Sequence, residues 1–230
     1  MKRKSNKEEE LRKFFDKRAK YTNWHKLADD ERALLKRLIK TVPLKEGDFV
    51  VEPGCGAGRV SRELAETVGD KGRVFAFDIS GRMIAEACKE GRRKKIIFVR
   101  SSARSVPLPV SMADAVFCFN CFHLFADSET LSELSRLIKP GGRLCIASSE
   151  TRTEVNRLHA LPDYMQKLTF PGIKEAAELI ENAGLTVRKL SDFTGGFMII
   201  AERLSRGLTA YPRHYCEGEQ PFSLSSLASS

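Results

Sequence analysis

Apolar positions in this chain change period along its length, and the changes outline its elements. Near the start, Leu11, Phe14 and Phe15 fall at helical spacing. A second helix is predicted over residues 29–41: it opens at the acidic pair Asp29 and Asp30 and carries Leu34, Leu35, Leu38 and Ile39 on one face. Short, nearly continuous apolar runs follow at 49–51, 74–77, 96–99, 113–119 and 143–147. Such runs, rich in Val, Ile and Phe, read as strands buried on both faces. Helical stripes separate several of them, at 59–68, 128–138 and 173–183. The breaker cluster Lys139, Pro140, Gly141, Gly142 is expected to end the helix before the fifth strand as a turn. Residues 185–190 and 197–202 flank 192–196 as a predicted hairpin. Alternating strands and helices predict an α/β fold around a mainly parallel sheet. After about residue 204 the pattern dissolves into glycine, proline and serine, and 204–230 reads as a disordered tail.

The chemistry concentrates where the first run ends. Phe49, Val50 and Val51 stop at Glu52, and Gly54, Gly56 and Gly58 follow at alternate positions around Cys55. Val60, Leu64 and Val68 then recur at helical spacing, which gives strand, glycine loop, helix. The loop lets a ligand approach bare backbone, and the helix directs free N–H groups into the same space. A dehydrogenase fingerprint needs G-x-G-x-x-G, but the third glycine here comes one residue early and Arg59 stands where it would be. The second run ends at Asp78, twenty residues after Gly58, where a carboxylate can accept both ribose hydroxyls of a nucleotide-like cofactor.

With these motifs in place the chain resembles the class I S-adenosylmethionine-dependent methyltransferases, whose first motif is an apolar strand, an acid and G-x-G-x-G. The resemblance implies a Rossmann-like doubly wound sheet of seven strands in the order 3-2-1-4-5-7-6, strand seven antiparallel, with helices on both faces. It also implies S-adenosylmethionine as cofactor, with Glu52, Gly54, Cys55, Gly56 and Gly58 at the methionine side and Asp78 at the ribose. Ile79, Ser80 and Met83 match the family's D-x-S-x-x-M, with Ser80 a candidate N-cap and Met83 either near the adenine or filling core. Residues 100–109 resemble the family segment that usually reads G-D-A, and here Ser102 stands where the family commonly has Asp while Ala103 matches its Ala. Serine can accept a bond from the adenine amino group, without the charge assistance of the usual Asp.

The fourth run delivers Asn120, Cys121, Phe122 and His123 to the carboxyl edge of the sheet, where open α/β folds bind ligands. Asn120 is placed at the cofactor, and His123 and His159 are the candidate general bases. Residues 148–169, with Arg152, Asn156, His159 and Tyr164, form a long irregular stretch that in relatives builds the acceptor pocket. The acid or Asn followed by two prolines and an aromatic, expected of nucleobase amino methyltransferases, is missing after strand four.

Net charge is +9, and residues 1–40 hold 14 Lys and Arg against 7 Asp and Glu. A solvated basic helix explains this more simply than a phosphate-binding arm, and no aromatics interleave with the charges or with the second cluster at residues 92–95. The 1–41 segment, with Phe15, Asp16, Ala19, Tyr21, Asn23 and Trp24, resembles the lead-in of quinone and small-molecule C-methyltransferases. It reads as a lid or as a helix packed on the 42–203 domain. Six cysteines without a secreted framework read as reduced thiols, and the Cys118 and Cys121 pair lacks the second pair a zinc site needs. No apolar leader or span is visible, so the expected location is the cytoplasm and no metal is expected. The function expected is methyl transfer to a small molecule. An RNA methyltransferase using the basic helix and a non-catalytic partner subunit of the same fold are the alternatives.

Overall fold

The computed structural model describes residues 2–20, 26–89, 94–150, 172–193 and 196–205. Helices α1 (Lys2–Arg18) and α2 (Asp29–Thr41) lead into the alternation β1 (Phe49–Pro53), α3 (Arg59–Thr67), β2 (Arg73–Asp78), α4 (Gly81–Lys89) and β3 (Ile96–Arg100). The chain continues through β4 (Ala113–Phe119), α5 (Ser128–Leu137), β5 (Ile138–Ser148), α6 (Ile173–Asn182), β6 (Thr186–Phe193) and β7 (Gly196–Glu202). The seven strands form one sheet in the order β3-β2-β1-β4-β5-β7-β6, with β7 antiparallel to both neighbours. This is the Rossmann-like arrangement that the resemblance implied.

The central strands place successive side chains on opposite faces, so each apolar run feeds two cores. Val51, Phe75, Phe77, Val116 and Ile146 pack on one face with Leu131 and Leu134 of α5 and Ile180 of α6. Val50, Val74, Ala76, Phe117 and Cys145 pack on the other with Leu35 and Leu38 of α2 and Val60 and Leu64 of α3. The chain builds outward from β1 to β3, then returns to start β4 beside β1. That reversal opens a crevice at the carboxyl ends of β1 and β4, the place such sheets bind ligands.

Two boundaries differ from the sequence expectation. Helix α5 stops at Leu137, and Ile138 already pairs with Ala113, so the breaker cluster lies inside β5 instead of before it. Residues 139–142 bulge out opposite Asp114, Lys139 Nζ bonds its carboxylate at 2.7 Å, and Arg203 pairs its backbone with Gly141 and Gly142. An edge return thus rescues a turn sequence as strand. The β6–β7 hairpin is also tighter than predicted, since Asp192 and Phe193 pair with Phe197 and Gly196. Among the described residues no helix is long and apolar enough to cross a membrane.

Candidate functional site

The crevice has a floor made from the β1–α3 loop and the end of β2. Cys55 N–H bonds Phe77 O at 3.0 Å, which ties the glycine loop to the neighbouring strand. Gly58 sits at φ +76° as the residue before α3, and a Cβ there would lie 2.7 Å from the Phe98 ring. Gly56, at φ +54°, differs: a Cβ there would meet nothing within 4 Å, so the space above it is open. Asp78 closes the other side, its Oδ2 accepting Gly56 N–H at 2.9 Å and its Oδ1 accepting Ser80 N–H at 2.8 Å. A carboxylate has about four acceptor positions, so capacity remains for a ligand's hydroxyls.

Burial sets the electrostatics of this floor. It pushes the Asp78 carboxyl up to about 6, against the backbone bonds from Ser80, Gly56 and Ile79 that favour its charged form. Glu52, 3% exposed and bonded by the Ser61 hydroxyl, is pushed by burial up to about 8. The Cys55 thiol is raised as well, by burial and then by the charges of Glu52 and Asp78. Open backbone over Gly56, a buried acid at the end of β2 and the start of α3 together fit an adenosyl cofactor with a ribose diol.

Acidic side chains from the N-terminal helices border the same crevice. Asn120, at φ +56°, accepts Ser149 N–H at 2.8 Å and donates to Ser149 Oγ and to Glu31 Oε1 of α2, both at 3.0 Å. Glu31 also receives Arg59 Nη1 at 2.6 Å and the backbone N–H of Ala28 at 3.0 Å. On α1, Asp16 Oδ1 accepts the Ser80 hydroxyl at 2.6 Å, and its Oδ2 accepts Arg12 Nη1 at 2.8 Å. Burial opposes ionisation of Asp16, but the bonds from Ser80 and Arg82 and the nearby arginines outweigh it and lower its pKa. Glu8 Oε1 accepts the Ser102 hydroxyl at 2.6 Å and Arg104 Nη1 at 2.7 Å. Leu11 is buried against Phe14, Phe15 and Leu124, so α1 reaches from β3 to the turn after β4.

The sequence candidates separate into groups. Glu52, Gly54, Cys55, Gly56, Gly58 and Asp78 share the floor, with Ile79 half-buried beside it. Ser80 caps α4 by accepting Met83 N–H at 3.1 Å, and Met83 itself is 1% exposed. Ser102 and Ala103 lie in the turn after β3, where Ser102 also accepts Arg104 N–H at 3.1 Å. His123 is buried in the 3-10 turn Phe122–Leu124 at the carboxyl end of β4. Cys121 donates its thiol to Pro53 O beneath the loop, and burial raises its pKa. His159, Arg152, Asn156, Tyr164, Tyr21, Asn23, Trp24, Arg92, Arg93 and most of the tail lie outside the described residues. Sequence reading missed Glu8 and Glu31 as site-edge residues and named Asp16 only within the lid-like pattern, without its partner; nothing local marks an acid whose partner is tens of residues away.

Comparison with known proteins points to the same fold. A family model described as a methyltransferase domain matches residues 50–142, the span from β1 to the bulge in β5. A demethylmenaquinone methyltransferase of Bacillus velezensis is 28% identical over 187 residues, which is 70% of this chain and 80% of that protein. A ubiquinone/menaquinone biosynthesis C-methyltransferase of Brucella anthropi is 29% identical over 169 residues, 61% of this chain and 64% of its own length. A crystal structure of an S-adenosylmethionine-dependent methyltransferase from Aquifex aeolicus superposes with a TM-score of 0.63 at 26% identity, covering 74% of this chain and 89% of that one. With the motif, the strand order and these relatives in agreement, the chain belongs to the class I S-adenosylmethionine-dependent methyltransferases.

Proposed function

We propose that the acceptor is a small molecule, seated at the carboxyl ends of β4 and β5 and methylated by in-line displacement. The observation that carries this is the pairing at the crevice edge: Glu8, Asp16 and Glu31 of α1 and α2 hold Arg104, Arg12 and Arg59 in ion pairs, so these cations are committed within the chain instead of being presented to a phosphate backbone. The quinone-methylating names of the relatives point the same way. Bound S-adenosylmethionine supplies an activated methyl group on sulfonium. Asp78 would hold the ribose hydroxyls, the backbone at Gly56 would lie under the methionine portion, and Glu52 with Ser61 would brace the loop from below. Asn120, fixed by four bonds in a conformation that costs a non-glycine residue about 1–2 kcal/mol, would set the wall between cofactor and acceptor. His123 is the candidate base for an acceptor that must lose a proton, a contribution of about 10²–10⁴ in rate. Positioning alone would serve an acceptor that is already ionised.

The test is transfer of a tritiated methyl group from S-adenosylmethionine to two acceptor pools, a panel of ring-demethylated quinols and total RNA. The expected result is label in the organic extract. Label confined to the RNA fraction would replace this reading with the RNA methyltransferase one.

A further inference from the structure

We propose that Glu8, on helix α1, is the acceptor for the amino group of the cofactor's adenine, so that a helix outside the sheet completes the nucleobase site. This rests on the cofactor placement of the previous section. Past Asp78 the chain turns through Ile79, whose half-buried side chain helps to line a groove of about 550 Å³. Glu8, Arg12, Ser101 and Ser102 line the same groove. A base carried by a ribose on Asp78 therefore extends along Ile79 toward Ser102 and Glu8.

Ser102 cannot act there as the charged acceptor its position usually holds. Its proton goes to Glu8 Oε1, and one of its lone pairs takes the Arg104 N–H. The carboxylate missing at residue 102 has instead arrived from α1. Glu8 Oε1 is held by Ser102 and by Arg104, and among the described residues Oε2 has no hydrogen bond. Glu8 does not need these bonds to be in place. Asp16 anchors α1 to Ser80 and Arg82 at the start of α4, and Leu11 packs on Phe14, Phe15 and Leu124. An exocyclic amine is a donor, and a charged acceptor binds it roughly twice as strongly as a neutral one.

The experiment compares two ligands on one protein, S-adenosylhomocysteine and S-inosylhomocysteine, whose ring carries a carbonyl where adenine has the amine. Wild type should prefer the adenosyl ligand by at least about tenfold. Glu8→Gln, whose amide can donate to the carbonyl, should lose that preference or invert it. Ser102→Asp alone should weaken S-adenosylhomocysteine binding about tenfold, because two carboxylates then meet. Glu8→Gln with Ser102→Asp should restore it, since the charge has moved to the strand end. The ratio of two ligands on the same variant is insensitive to a small loss of folding. An unchanged adenosyl-to-inosyl ratio in Glu8→Gln, with Asp78→Ala still binding poorly, overturns the role of Glu8 and keeps the cofactor placement. Wild-type-like binding in Asp78→Ala overturns both.

Discussion

The floor and the rim of the crevice are built by different means. The floor is backbone: Gly56 and Ser80 N–H groups on Asp78 and Cys55 N–H on Phe77, all between residues 52 and 80, with the Ser80 and Cys55 bonds buried and the Gly56 bond partly so. The rim is side chain: three carboxylates from α1 and α2 reach partners 28 to 96 residues away, at sites that solvent still reaches. Buried backbone bonds are costly to break, whereas partly exposed ion pairs contribute about 0–1 kcal/mol each. The floor is therefore preorganised, and the rim can release and reseat α1 at little cost in stability.

Breaking the floor should cost most. Gly58→Val puts a β-branched side chain at φ +76° and its Cβ 2.7 Å from the Phe98 ring. Strain and overpacking together predict a loss on the order of 4 kcal/mol, read as a fall in the urea midpoint. An unchanged midpoint would mean that the loop has another conformation.

The pH dependence of the floor follows from its buried acids. Glu52 is held up to about 8 in the folded chain, against 4.5 for the free group. The unfolded chain releases that proton first, so the folded state binds more protons between those values and stability falls as pH rises through the window. Asp78, raised to about 6 from 3.8, adds the same sign over a lower and narrower range. Glu52→Gln should remove about 2–3 kcal/mol of this decline between pH 5 and 8. Chemical denaturation across that range would reveal it, and a variant as pH-sensitive as wild type would contradict it.

The rim should yield smaller effects. Glu31→Ala strands Arg59 and Asn120 and should cost about 1–2 kcal/mol, because this carboxylate is only 13% exposed. Asp16→Ala should cost under about 1 kcal/mol. Its larger signature would be faster amide exchange along α1 with the β1 and β2 amides unchanged. Equal acceleration in the strands would show that α1 and the sheet open as one unit.

The same contrast explains what could be read from sequence. Strands β1, β2 and β4 are continuous apolar runs because helices cover both faces, and the glycine spacing up to Gly58 together with Asp78 is a local signal. Each of these was legible. The bulge at 139–142 was not, because its strand pairing depends on Asp114 and Arg203, neither of which is adjacent in sequence. Glu8 was hidden differently, and Asp16 was legible only inside a lid-like pattern. In a segment read for its surplus of cations, two of the acids reach the domain, and only the fold shows their partners Ser102 and Ser80. His123 was legible as a position, the end of β4, while the bond network that fixes Asn120 beside it was not.

The central claim is that Asp78 and the glycine loop form the cofactor site, and calorimetric titration with S-adenosylhomocysteine at pH 7.5 tests it most directly. Wild type should bind one equivalent, and Asp78→Ala, with thermal unfolding checked in parallel, should bind at least about tenfold more weakly for the loss of charge-assisted bonds to two hydroxyls. Equal affinity in the two proteins would place the cofactor elsewhere and contradict the account.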